Sequence, residues 1–234
     1  GTWTNATDVA NATYTASAGE SGSITLTLTT SGGSCGTTTD TKTITVNPNP
    51  TASAGGALSD ICQSGTSAAM GGSVGGGATG GTWSGGAGTW TNATDVANAT
   101  YTASSGESGS ITLTLTTSGG SCGTTTDTKT ITVYANPTAS AGGALSDICQ
   151  SGTSAAMGGS VGGVATGGTW SGGAGTWTNA TDVANATYTA SSGESGSITL
   201  TLTTSGGSCG TTTDTKTITV NANPTASAGG ALSD

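Results

Sequence analysis

The pentapeptide Gly1-Thr2-Trp3-Thr4-Asn5 returns at 88–92 and again at 175–179, so the chain is a tandem array with an 87-residue period. Laying residues 1–147 over 88–234 leaves five mismatches: Ala18/Ser105, Asn47/Tyr134, Pro48/Ala135, Gly77/Val164 and Tyr134/Asn221. A period of this length is far too long for one coil of a solenoid, and nothing repeats inside it. Each copy must therefore close its own small core. The 234 residues hold fewer than three periods and both ends fall inside the pattern, so a segment of a longer array is expected.

Within a period the strongest signal is Ser110-Ile111-Thr112-Leu113-Thr114-Leu115-Thr116, where apolar residues alternate strictly with threonine. That is the period of a strand with one buried face. Lys129-Thr130-Ile131-Thr132-Val133 alternates likewise, and the Gly-rich stretch 118–123 between the two predicts an antiparallel hairpin. Further strands are read at 100–102, 88–91, 81–84 and 68–74, with an edge segment near 59–61. Helical periodicity is missing; the best helical candidate, 92–98, is short and rich in Asn, Thr and Asp. About seven short strands in under 90 residues predict an all-β fold of tandem immunoglobulin-like sandwiches.

Proline marks the boundaries. Asn49-Pro50, Asn136-Pro137 and Asn223-Pro224 each follow the second hairpin strand, and Pro holds itself and its predecessor extended. The expected organisation is 1–49 as the C-terminal part of a repeat, 50–136 and 137–223 as complete repeats, and 224–234 as the start of the next. Such short, stiff junctions favour stacking into a rod.

Charge narrows the function classes. The chain has twelve carboxylates, three lysines, no arginine and no histidine, for a net charge of −9. An acidic chain without arginine repels phosphate backbones, which argues against nucleic acid. No apolar run approaches a membrane span, and no basic amphipathic stretch is present for anionic lipid. Catalytic triads, dyads and phosphate clamps lack their usual members, so no enzyme and no cofactor are expected. Regularly placed β-branched residues, Trp and Cys argue against a disordered spacer.

Five cysteines recur at fixed positions: Cys35, Cys62, Cys122, Cys149 and Cys209. Isolated cysteines in a His-free chain do not make a zinc site, so disulfides and an oxidising, extracellular compartment are expected. A repeat this small and poor in large apolar residues needs a staple; closing a loop of ~60 residues contributes about 4 kcal/mol in the chain-entropy model. The reading favoured is one bond inside each complete repeat, Cys62–Cys122 and Cys149–Cys209, with the partner of Cys35 preceding residue 1. Pairing across a junction (Cys35–Cys62, Cys122–Cys149) or between chains remains open from sequence.

The order of the pieces resembles the tandem immunoglobulin-like and PKD-like repeats of giant surface proteins from Bacteroidetes-type bacteria. The residues carrying the likeness are 136–142, Asp147-Ile148-Cys149, Gly168-Thr169-Trp170, 185–189, 197–202 and the closing strand 214–220. The resemblance implies export by type IX secretion and a role in a gliding adhesin, attachment fibre or cell-surface filament. It carries over no catalytic residue.

Trp83, Trp90, Trp170 and Trp177 are possible sugar-stacking rings but read first as core. Asp95 and Asp127 each offer one carboxylate to calcium, short of the clustered oxygens that a hard cation wants, and read as turn residues. The outward threonines 112, 114, 116, 130 and 132 fit a solvated β face better than an ice-binding array. Asn92-Ala93-Thr94 and Asn98-Ala99-Thr100 match the glycosylation sequon, which is short enough to occur by chance. The function expected is a structural segment of a long cell-surface filament or adhesin that self-associates into a homo-oligomeric fibre. The alternative is a module that itself grips a glycan or surface through exposed Trp.

Overall fold

The computed structural model describes residues 1–230. Residues 231–234, the last part of the expected fourth repeat at 224–234, lie outside the described residues. The chain divides into two compact units. One comprises 1–59, 66–103 and 110–131; the other comprises 60–65, 104–109 and 132–234. Among the described residues all regular structure is β, and no helix is long and apolar enough to cross a membrane.

The repeat 137–223 lies wholly in the second unit. Its strands are β1 (Thr138–Ser140), β2 (Ile148–Cys149), β3 (Ser160–Gly162), β4 (Gly167–Ser171), β5 (Thr176–Thr178), β6 (Thr187–Thr189), β7 (Gly196–Ser205) and β8 (Thr213–Asn221). These are eight strands where seven were expected. The addition is β1, whose Thr-Ala-Ser has no alternation of its own and pairs with β3. The alternating run at 197–202 and the closing run before Val220 form the expected hairpin, in register with Ile198 opposite Ile218 and Leu200 opposite Lys216.

One sheet has the order β2-β8-β7-β4, with the short β2 parallel to the end of β8 and the other pairs antiparallel. The second layer is made of the pairs β1-β3 and β5-β6, and an isolated bridge from Thr153 to Thr189 leads the chain onto β6. This is an immunoglobulin-like β-sandwich. Its core is Met157, Trp170, Tyr188, Leu200, Leu202, Ile218 and Val220 with small alanines, against which Val161, Trp177, Val183 and Ile198 pack. On the outer face of the hairpin, Thr199 faces Thr217 and Thr201 faces Thr215. Such cross-strand threonine pairs suit the pleated, solvated surface.

The alternation that turns Ile218 and Val220 inward also turns Lys216 inward. This lysine is only 8% exposed. Its ammonium donates to the carbonyls of Gly143 (2.9 Å) and Met157 (2.5 Å) and lies 5.5 Å from the Trp170 ring centroid. Lys129 makes the same contacts with Gly56, Met70 and Trp83. Burial pushes the Lys216 pKa down, and the nearby Asp214 carboxylate opposes that shift. The single lysine of each complete repeat is therefore an internal clamp joining the loop after β1, the loop before β3 and the core tryptophan.

Residues 1–49 correspond to 88–136 and contain no counterpart of Trp83. Trp3 is accordingly 46% exposed and Leu28 47%.

Lys216→Met keeps the aliphatic stem but removes the donors, taking from the buried Met157 carbonyl its charged partner and from the more exposed Gly143 carbonyl another. The variant should lose about 1–3 kcal/mol, read as a lower urea midpoint with an unchanged slope. An unchanged midpoint would remove the clamp from the account.

Candidate functional site at the repeat junction

The two cysteines of a repeat are set apart by its longest elements. Cys149 is on β2, paired beside Asn221 at the end of β8, whereas Cys209 lies in the hairpin loop that precedes β8. Nine extended residues at ~3.3 Å each separate these ends by about 30 Å. A disulfide needs Cα atoms within roughly 7 Å. The pairing Cys149–Cys209 expected from sequence is excluded by that strand.

Instead Cys209 bonds Cys62, a residue of the preceding repeat, with a Cα–Cα distance of 5.7 Å and 147 residues between them in sequence. Cys62–Cys122 is likewise not formed: Cys122, Cys149 and Cys35 are exposed thiols. Cysteine spacing alone could not reveal this, because shifting a partner by one period changes nothing in its local sequence.

The surroundings of the bond are built by backbone. The short strand Ile61–Cys62 runs parallel to Val133 and Tyr134. Gln63 N–H donates to the Tyr134 carbonyl (2.9 Å), and Asn136 N–H donates back to the Gln63 side chain (3.0 Å). The Tyr134 hydroxyl donates to Asp60 at 3.0 Å, and that bond raises the tyrosine pKa. On the other side, Gly163 at φ +66° lies against Asn136 and Pro137, where a Cβ would overlap the Asn136 carbonyl. Asn-Pro is thus held from both flanks rather than left as a free linker.

Four of the five differences between copies fall here. Residue 77 abuts the Pro48 carbonyl so closely that a Cβ would collide; it is glycine. At the next junction Ala135 replaces proline and residue 164 is valine. Asn221 takes the place of Tyr134 one repeat later.

Trp170 is buried, donates its indole N–H to the Val183 carbonyl (2.9 Å) and stacks on Trp177 with centroids 5.9 Å apart. Trp177 is half-buried, donates to the Gly172 carbonyl (3.1 Å) and lies 5.2 Å from Tyr188. Trp83 and Trp90 stack in the same way. The Tyr188 hydroxyl donates to Glu194 and accepts from Gly175 N–H (2.8 Å). A side chain on Gly173, at φ +70°, would displace that hydroxyl. Burial alone would raise the Glu194 pKa, but Tyr188, Ala174 N–H and Ser191 N–H donate to it and hold it below its ordinary value.

The aspartates read as turn residues are engaged by backbone. Asp95 and Asp182 each accept from the amide and side chain of the asparagine three residues on. Asp127 accepts from Ala54 N–H, as Asp214 does from Ala141 N–H, both at 2.7 Å. These donations lower all four pKa values. Among the described residues no three of His, Cys, Asp or Glu come together.

No protein-family model matches the chain, and no curated sequence matches it. Solved structures that align with it include the insect immune protein hemolin, described for its implications for homophilic adhesion, at 14% identity and TM-score 0.40, over 75% of this chain and 47% of that one. The two immunoglobulin domains of DIP-gamma align at 9% identity and TM-score 0.44, over 77% of this chain and 100% of theirs. Cadherin domains 1–5 of protocadherin gamma B2 align at 10% and 0.41, over 88% and 47%. The chain spans about half the length of the hemolin and protocadherin chains. The strand order and register given above are what identify the fold.

Two outcomes follow. Peptide mapping without reduction should recover Cys62 linked to Cys209, and Cys209→Ser should raise the titratable thiols from three to four; a Cys149–Cys209 peptide would contradict the junction bond. The lowered aspartates stabilise the fold above their ordinary pKa of 3.8, and that share is lost as pH falls through the lower folded values. The melting temperature should be level from about pH 5 to 7 and drop below about pH 4, less steeply in Asp214→Asn.

Proposed function

We propose that this chain is a stretch of the shaft of a long extracellular filament or adhesin stalk, belonging to a cell-surface appendage of the type IX-exported kind that its sequence resembles. The observation that carries this reading is the disulfide from one near-identical repeat to the next. Such a bond belongs to an oxidising compartment outside the cytosol. It also serves the connection between repeats, which is where a load-bearing shaft needs it.

Near identity of the copies supports the same reading. Differences are concentrated at the junction, and the sandwich faces are repeated unchanged. The shaft then sets distance by copy number, at roughly 35–45 Å per repeat if each spans its strands and loops. Repeated uniform faces suit side-by-side association of several chains into a homo-oligomeric fibre.

Lateral association must overcome like charge. Lys129 and Lys216 are buried, so each complete repeat presents carboxylates without a solvated lysine to offset them. Screening lengths fall from ~30 Å at ~10 mM salt to ~8 Å at ~150 mM. Sedimentation and negative-stain microscopy of the oxidised chain should therefore show monomers at low salt and bundled fibres at physiological salt. A chain that stays monomeric at every ionic strength would refute the bundled fibre.

A further inference from the structure

The three thiols are the unpaired halves of the bond already formed once. Cys149 occupies the frame of Cys62: Gln150 N–H donates to the Asn221 carbonyl at 3.0 Å, and Asn223 N–H donates to the Gln150 side chain at 3.0 Å, matching the bonds around Gln63. Cys122 occupies the frame of Cys209. Its sulfur contacts the Asn47 carbonyl at 3.4 Å, as the Cys209 sulfur approaches the Tyr134 carbonyl at 4.0 Å, and residues 47 and 134 are the same position of the repeat. Both frames are exposed at cysteine, so a partner can reach them.

We infer that every junction of the array closes the same disulfide, the strand cysteine of each repeat bonding the hairpin cysteine of the next. Cys149 takes the hairpin cysteine of a following repeat; Cys122 and Cys35 take strand cysteines of preceding ones. Each bond forms by exchange with an external disulfide, that of a thiol oxidoreductase or oxidised glutathione. One cysteine thiolate attacks the oxidant, releasing one thiol. The second attacks the mixed disulfide, releasing the other, so two cysteines are oxidised and one external disulfide is reduced to two thiols.

The consequence is mechanical, and it holds whether the array is a shaft or a binding surface. The hairpin cysteine is followed by the next strand cysteine after 27 residues, as Cys122 is by Cys149. A load can pass across a bond, along those residues and across the next bond, skipping everything else in two periods. Twenty-seven residues extend to about 95 Å, close to the folded length of two repeats. A fully oxidised array that loses its folds would gain little length.

The test adds one copy of residues 137–223 after Asn223 and oxidises the product with a glutathione redox pair. Disulfides should rise from one to two, with Cys149 linked to the added hairpin cysteine and three thiols still titrating. Cys149→Ser should remove that second bond and leave Cys62–Cys209 intact. If Cys149 stays alkylatable in the extended chain, or is recovered bonded to Cys209 or Cys122, the inference fails. These outcomes are read as bonds, independently of fibre formation.

Discussion

A nine-residue strand decides how this chain is stapled. Thr213–Asn221 keeps Cys149 and Cys209 at opposite ends of their own repeat, so neither cysteine can find the other. What each can find is the neighbour's. Cys62 is paired beside Tyr134, the Cys209 sulfur lies 4.0 Å from the Tyr134 carbonyl, and the two cysteines bond from one 87-residue copy to the next. A bond inside a repeat would stabilise that repeat alone. One that spans a junction constrains the unfolded state of both neighbours, by about 5 kcal/mol for a loop of this length in the chain-entropy model.

With the cysteines committed to the junction, each sandwich must hold its layers together by other means. The buried lysine does part of this. In 137–223 it ties two loops of the second layer to the core tryptophan through strong, charge-assisted bonds, and the carboxylate of Glu194 closes the other side through Tyr188 and two backbone amides. These polar groups are satisfied without forming an ion pair with each other. Glycine-rich loops let the backbone come close enough for this, as at Gly173 beneath the Tyr188 hydroxyl.

Much of the sandwich was legible in the residues. Threonine alternation around Leu200 and Leu202 marked one hairpin strand, and the phase of Ile218 and Val220 marked the other. The same phase pointed Lys216 inward, a signal that hydrophobicity alone passes over. β1 was not legible, because Thr-Ala-Ser is small, polar and adjacent to the proline, and becomes a strand only through pairing with β3. Cysteine connectivity was hidden for a deeper reason. Copies that are locally identical give a cysteine the same surroundings at every 87-residue shift, so the partner is chosen by the distance between strand ends, which appears only after folding.

Pulling the oxidised chain from its two ends while a reductant acts on it reads out whether the bond spans two repeats. After the sandwiches have unfolded under load, cleavage of Cys62–Cys209 should release its 147-residue loop as one lengthening step of about 500 Å. Two steps of about 210 Å each, the length of ~60-residue loops closed inside each repeat, would contradict it.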